Sequence, residues 1–275
     1  YKAAYSTQKN NGLIAIGRTA LYNNNEGTDN VAIGDSSMYS TNGIVASANT
    51  ALGTKTLLNN VEGQSNTAVG YEALKSNLSD VNTATGAFTL YSNTLGAGNT
   101  AMGYNAMIAN TVGNQNTAIG VQALGNNTSG SNNVAVGLSS LISNDYGESN
   151  IGIGRNALSY NQYQNELVAI GDSSMALTED GFGSTAIGTK TLLANKYGKY
   201  NTAIGFNSLN KNLDDFNTAI GYRSLEENTT GKDNIAMGSL ALAANTIGKN
   251  NTSIGNKALS NNTTGVGNIA IGLES

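Results

Sequence analysis

Asn116-Thr117-Ala118-Ile119-Gly120 and, further along, Asn201-Thr202-Ala203-Ile204-Gly205 are two copies of one short phrase that paces the whole chain. The closing glycine falls at Gly17, Gly34, Gly53, Gly70, Gly86, Gly103, Gly120, Gly137, Gly154, Gly171, Gly188, Gly205, Gly221, Gly238, Gly255 and Gly272. Of the fifteen gaps between these sixteen glycines, twelve are 17 residues, two are 16 and one is 19, so the period is 17. With the glycine as position 1, position 4 is Ala, Ser or Thr, position 8 is usually Asn, position 11 is usually Gly, and positions 14 to 17 read Asn-Thr-Ala-Ile. Position 5 is always Leu or Met, so one apolar column that includes Leu57, Leu124 and Leu192 runs the length of the chain.

A helical repeat of this period needs two helices of about two turns each, which are marginal, and it places Gly inside them at about 1 kcal/mol each. Short segments rich in Thr, Ile and Val between Gly and Asn instead read as strands of three to five residues joined by tight turns, two such segments per coil. Stacked coils pair their backbone groups with the coils above and below, and the complete absence of Pro agrees with an unbroken ladder. The expected fold is therefore all-β, a parallel β-solenoid of about sixteen 17-residue coils forming one continuous domain over residues 1–275. At the usual strand spacing that makes a rod on the order of 75 Å long. Asn at position 14, as at Asn66, Asn116 and Asn201, is expected to stack into an amide ladder that satisfies otherwise unpaired buried side chains.

Adjacent strand residues point to opposite faces, yet positions 16 and 17 are both apolar. The small members, such as Ala32, Ala68, Ala118 and Ala203, suit the thin inside of a coil. The large ones, Ile16, Ile33, Ile119, Ile187 and Ile204 among them, then form a stripe that needs a second surface. A partner chain about a common axis is the simplest cover, which predicts a homo-oligomer, with a trimer preferred.

Composition excludes much chemistry. There is no Cys and no His, which removes disulfides, thiolate sites and the commonest general base and metal ligand. The net charge is −4 and the 14 basic residues are scattered singly, so nucleic acid is not an expected partner. No apolar run reaches the roughly 18 residues that span a bilayer, so no membrane insertion is expected of this segment. The lack of Cys and Trp fits an extracellular surface protein of a bacterium or virus. Carboxylates are scattered without the spacing of a calcium loop, and no serine has a histidine partner, so no catalytic, cofactor or metal site is expected.

A longer period overlies the short one. Gly34-Asp35-Ser36-Ser37-Met38 returns as Gly171-Asp172-Ser173-Ser174-Met175, Gly53-Thr54-Lys55-Thr56-Leu57-Leu58 returns as Gly188-Thr189-Lys190-Thr191-Leu192-Leu193, and the two 16-residue coils correspond. Eight coils are duplicated as a block, giving superrepeats of about 1–137 and 138–275, and the in-register ending suggests part of a longer array. In the 19-residue coil the extra residues near Thr41, Asn42, Gly43 and Ile44 are expected to bulge as a surface loop, a speculative binding site.

Repeated Asn-Thr-Ala-Ile-Gly, over essentially the whole chain from Ile14 to Gly272, resembles the YadA-like head repeats of trimeric autotransporter adhesins and the related repeats of phage and contractile-injection tail fibres. The period of 17 and the Ala-Leu pair at positions 4 and 5 depart from that family's shorter repeat. The resemblance implies a left-handed parallel β-roll, three chains side by side, and a surface that binds host glycans or matrix molecules. The expected function is thus a structural and adhesive, non-enzymatic fibre segment at a cell surface or on a virion tail. The alternative is an ice-binding solenoid built on the Thr column at position 15, including Thr50, Thr67, Thr83, Thr100 and Thr117.

Overall fold

The computed structural model describes residues 2–5, 11–40 and 46–275. The chain is all-β and repeats as a parallel β-solenoid with one strand per turn. It divides into two compact units, Tyr1–Ala135 and Val136–Ser275. The first carries strands β1 (Ile14–Ile16) to β7 (Thr117–Ile119), the second β9 (Ile151–Ile153) to β16 (Ile269–Ile271), and β8 (Val134–Val136) lies at the division. Within each unit consecutive strands pair in parallel and like positions face one another, for example Thr100 with Thr117, Ala101 with Ala118 and Met102 with Ile119. The thread of residues 41–44 proposed as a binding loop lies outside the described residues.

Each strand is only three residues long, positions 15 to 17. The second strand expected in each coil is not there among the described residues: positions 2 to 7 turn instead. The cause is the backbone at positions 3, 5 and 13, which is left-handed coil after coil. In the coil that starts at Gly103, Asn105, Met107 and Gln115 have φ of 56°, 50° and 55°. The chain bends sharply at each, which closes a coil of 17 residues around a thin interior.

A left-handed Leu costs roughly 1–2 kcal/mol. Full burial of its side chain contributes about 1.5–3 kcal/mol, so packing outweighs the strain. Leu57, Leu90, Leu124, Leu192 and Leu225 all have φ near 50° and no exposed surface. Within each unit such residues also donate their N–H to the next coil, as from Leu57 to the Ala73 carbonyl at 3.0 Å and from Leu192 to the Ser208 carbonyl at 3.0 Å.

The glycine at position 1 is required twice over. Gly103 has φ of 131°, and a Cβ there would sit 2.5 Å from the carbonyl oxygen of Gly120. Where the two backbones approach so closely, no side chain fits.

The interior has two walls. Behind the strand lies an apolar one: Ala at position 16 and Leu or Met at position 5, all fully buried in Ala68, Ala118, Ala203, Leu74 and Leu209. Hydroxyls at position 4 stay satisfied inside it, Ser208 Oγ donating to the Ala219 carbonyl and Ser224 Oγ to that of Ala236, both at 3.0 Å.

Opposite stands a wall of amides. Asn116 Nδ2 donates to Asn99 Oδ1 at 3.2 Å and to the Gly130 carbonyl at 2.9 Å, and its own Oδ1 accepts from the Asn133 N–H at 2.9 Å. Asn66 bonds Asn49 at 3.1 Å, and the Asn201 Oδ1 accepts from the Asn217 N–H at 2.8 Å. A second amide ladder, which sequence reasoning did not propose, runs beside it at position 8: Asn93 to Asn77, Asn110 to Asn93 and Asn127 to Asn110, each 2.7 Å.

Candidate functional site

Two surfaces follow from this coil. The first is the outer face of the sheet. Because the middle residue of each strand points inward, positions 15 and 17 both point out. Position 15 is Thr, Val or Ile, position 17 is mostly Ile, Val or Met, and neither is charged in any coil. The isoleucine column therefore lies on the outside: Ile33 is 38%, Ile119 40%, Ile187 37% and Ile204 37% exposed, and Ile16 is more open still. Leu57, Leu124 and Leu192, by contrast, are wholly inside, as are Asn66, Asn116 and Asn201. In the first unit Thr50, Thr67, Thr83, Thr100 and Thr117 stand on five consecutive paired strands, a row of hydroxyls beside the apolar row.

Just past the strand, position 2 extends this face with exposed Tyr71, Tyr104, Phe206 and Tyr222. Phe206 and Tyr222 stack on each other, centroids 5.8 Å apart and planes at 11°.

The second surface is the turn edge, positions 9 to 13, where the chain rounds the corner from one Asn lane to the other. Gly at position 11 holds this corner close to the coil beside it: a Cβ on Gly113 would meet the Gly130 carbonyl at 2.4 Å. The side chains around it project freely and differ from coil to coil. In the two 16-residue coils this edge is where the missing residue is taken up. The Ser79 carbonyl stands in for that of the missing glycine, accepting from Asn66 at 2.9 Å and Asn77 at 2.7 Å, and the Asp214 carbonyl does the same for Asn201 and Asn212. Asp80 and Asp215 then accept the N–H of Gln64 and of Lys199, both at 2.8 Å.

Charged side chains pair across coils. The Arg18 guanidinium meets Asp35 at 2.6 Å and Arg155 meets Asp172 at 2.8 Å, in equivalent places of the two units. The arginine hydrogen bond holds each carboxyl below its ordinary pKa. Burial pushes the Glu72 carboxyl up, but bonds from Lys75 at 3.2 Å, Tyr71 and Lys55 at 3.5 Å outweigh it and leave it lowered. Lys75 is raised by its bond to the Tyr91 hydroxyl at 3.0 Å and by Glu72.

Among the described residues no group of three metal-ligating side chains converges, and no helix is long and apolar enough to cross a membrane. Tyr5, Tyr22 and Tyr39, at position 6 of successive coils, form a column with rings 5.2 Å apart. The signal for this was present in the 17-residue spacing of the three residues.

Compared with known proteins, the chain matches no family model, no curated protein and no solved structure.

Proposed function

We propose that this protein is a structural and adhesive segment of an extracellular fibre, at a cell surface or on a virion or injection-system tail, that works as a homo-oligomer, with three chains as the preferred number. One observation carries the reading: each unit presents an uncharged sheet face on which isoleucines such as Ile119 and Ile204 remain more than a third exposed. A regular apolar stripe of this kind favours association, and like columns on identical chains are self-complementary at every coil. The resemblance to adhesin head and tail-fibre repeats agrees with it. The turn edge, which is free of the sheet face, is left to meet a ligand.

The solution mass tests the assembly. Three times the chain mass of 28.2 kDa supports the side-by-side trimer, and a soluble monomer at high concentration overturns it.

The hydroxyl row from Thr50 to Thr117 supports a second reading, an ice-binding face. It uses the same surface that association would cover, so the two readings compete. Thermal hysteresis above a buffer control from a monomeric chain would favour ice binding; its absence rejects it.

A further inference from the structure

The two units keep the same columns inside and diverge at the turn edge. In the first unit no residue at positions 9 to 13 is aromatic, and among the described residues the large exposed apolar side chains there are Val81, Leu95 and Val112. In the second, five consecutive coils carry six aromatics there: Tyr146, Tyr163, Phe182, Tyr197, Tyr200 and Phe216. Five of these rings are more than half exposed, Tyr146 at 53%, Tyr163 at 57%, Tyr197 at 54%, Tyr200 at 51% and Phe216 at 54%. Core packing therefore does not account for them.

The rings are ordered. Tyr146 stacks on Tyr163 with centroids 5.7 Å apart and planes at 11°. Phe182, Tyr200 and Phe216 make a second column, edge-on at 5.6 Å and then stacked at 5.4 Å. At position 10 the column runs Tyr146, Tyr163, Asp180, Tyr197, so a carboxylate occupies the rung between two aromatic ones. Tyr163 and Tyr197 are thereby two coil spacings apart, about 10 Å.

The charges beside the rings disfavour one class of ligand. Lys196 stands beside Glu179 at 3.0 Å and Lys199 beside Asp180 at 3.6 Å, so each lysine faces a carboxylate that repels a polyanion. What the edge offers is ring faces interleaved with carboxylates and amides such as Asp180, Glu166 and Gln164. The C–H face of a pyranose stacks on the electron-rich face of an aromatic ring, while its hydroxyls donate to carboxylates and exchange bonds with amides.

We infer that the turn edge of the second unit, centred on Tyr163, Asp180 and Tyr197, is a binding strip for a neutral oligosaccharide. This rests on the adhesive reading above and gives it a ligand class and a place. The rings supply stacking platforms, Asp180 accepts hydroxyls between them, and the corresponding edge of the first unit is inert.

The test uses the full chain on an array of immobilised neutral oligosaccharides, with sialylated and uronate-bearing glycans as a counter-set. At least one neutral glycan is expected to be retained, with an affinity that falls at least about tenfold in the Tyr163→Ala/Tyr197→Ala double variant, the size expected for two lost stacking contacts. Tyr197→Phe, which keeps the ring, should stay within about twofold, and Leu95→Ala/Val112→Ala in the first unit should change nothing. Since all these residues are surface-exposed, an unchanged solution mass and circular dichroism will show that each variant folds.

No retention of any neutral glycan overturns the inference, as does retention indifferent to Tyr163 and Tyr197. Binding of acidic glycans alone, lost in Lys196→Gln/Lys199→Gln, also overturns it and identifies a polyanion site. Attachment of the chain to cells before and after enzymatic removal of surface glycans separates the two claims. Attachment that survives deglycosylation sinks the glycan strip and leaves the adhesive reading standing, whereas no attachment to either sinks the adhesive reading.

Discussion

The amide lane at position 14 is continuous in the first unit and interrupted in the second. From Asn49 to Asn133 every position 14 is asparagine, each bonded to the one before it. In the second unit the lane reads Asn150, Leu167, Ser184, Asn201.

Two backbone N–H groups keep their acceptors through the change. The Leu167 N–H still reaches Asn150 Oδ1 at 3.1 Å, the Asn201 N–H finds Ser184 Oγ at 3.1 Å, and Leu167 itself is fully buried. What the coil needs from this wall is an acceptor for the next N–H on one side and closely packed volume on the other. Asparagine supplies both, whereas Leu167 supplies packed volume and Ser184 supplies an acceptor. The difference teaches that the ladder is a way of satisfying buried backbone, and that replacing it is tolerated when a neighbour is rearranged with it.

Breaking the continuous lane should have the largest effect. Asn116→Leu removes the acceptor for the Asn133 N–H with no rearranged neighbour, while the Gly130 carbonyl keeps its bond from Asn127. The orphaned N–H costs about 1–3 kcal/mol and the bulkier leucine about 1–3 kcal/mol more by overpacking, so a loss of roughly 3–5 kcal/mol is expected in chemical denaturation. A loss under about 1 kcal/mol would mean that the lane tolerates leucine anywhere.

The apolar wall should not distinguish the units. Leu124→Ala and Leu192→Ala each leave a cavity at a fully buried site and should each cost about 2–5 kcal/mol, alike within error. Unequal losses would show that the interrupted amide lane loosens the core behind it.

Repairing the second unit is the converse. Leu167→Asn should restore the rung to Asn150 and gain about 1 kcal/mol at most, because the pocket has been shaped by leucine. A loss would place packing above amide pairing at this position.

The smallest effect is electrostatic and should be equal in both units. Asp35 and Asp172 have carboxyls lowered in the folded state by Arg18 and Arg155. A lowered folded pKa contributes stability that is present above the unfolded carboxylate pKa of about 3.9 and is lost as pH falls through the folded value. Acid titration of Asp35→Asn and Asp172→Asn should therefore show a shallower decline of stability at low pH than the parent chain, by the same small amount. A decline as steep as the parent's would remove these pairs from the account.

The sequence made some of this legible and hid the rest for physical reasons. The period, the Leu column and the Asn column could be read because stacked coils force like residues into register. The strand count could not. Thr56-Leu57 and Ala123-Leu124 look like strand residues, and nothing in a leucine or lysine side chain announces the left-handed backbone found at Lys55, Leu57, Gln122 and Leu124. The second amide ladder was present in the recurrence of Asn at position 8 and needed only the geometry of one coil to be recognised. The aromatic edge stayed hidden because positions 10 and 13 become a common surface only after the corner at position 11 is turned.

The short reach of the pairing bears on how such a chain is made. Thr100 pairs with Thr117, and Asn116 with Asn99, so a coil is complete as soon as the next 17 residues arrive. Each addition closes a loop of the same size and therefore meets the same entropic cost, whatever length has already formed. A chain emerging end-first from a ribosome or a secretion pore can lay down coil upon coil behind itself, in the order of its synthesis or export, without waiting for a distant segment.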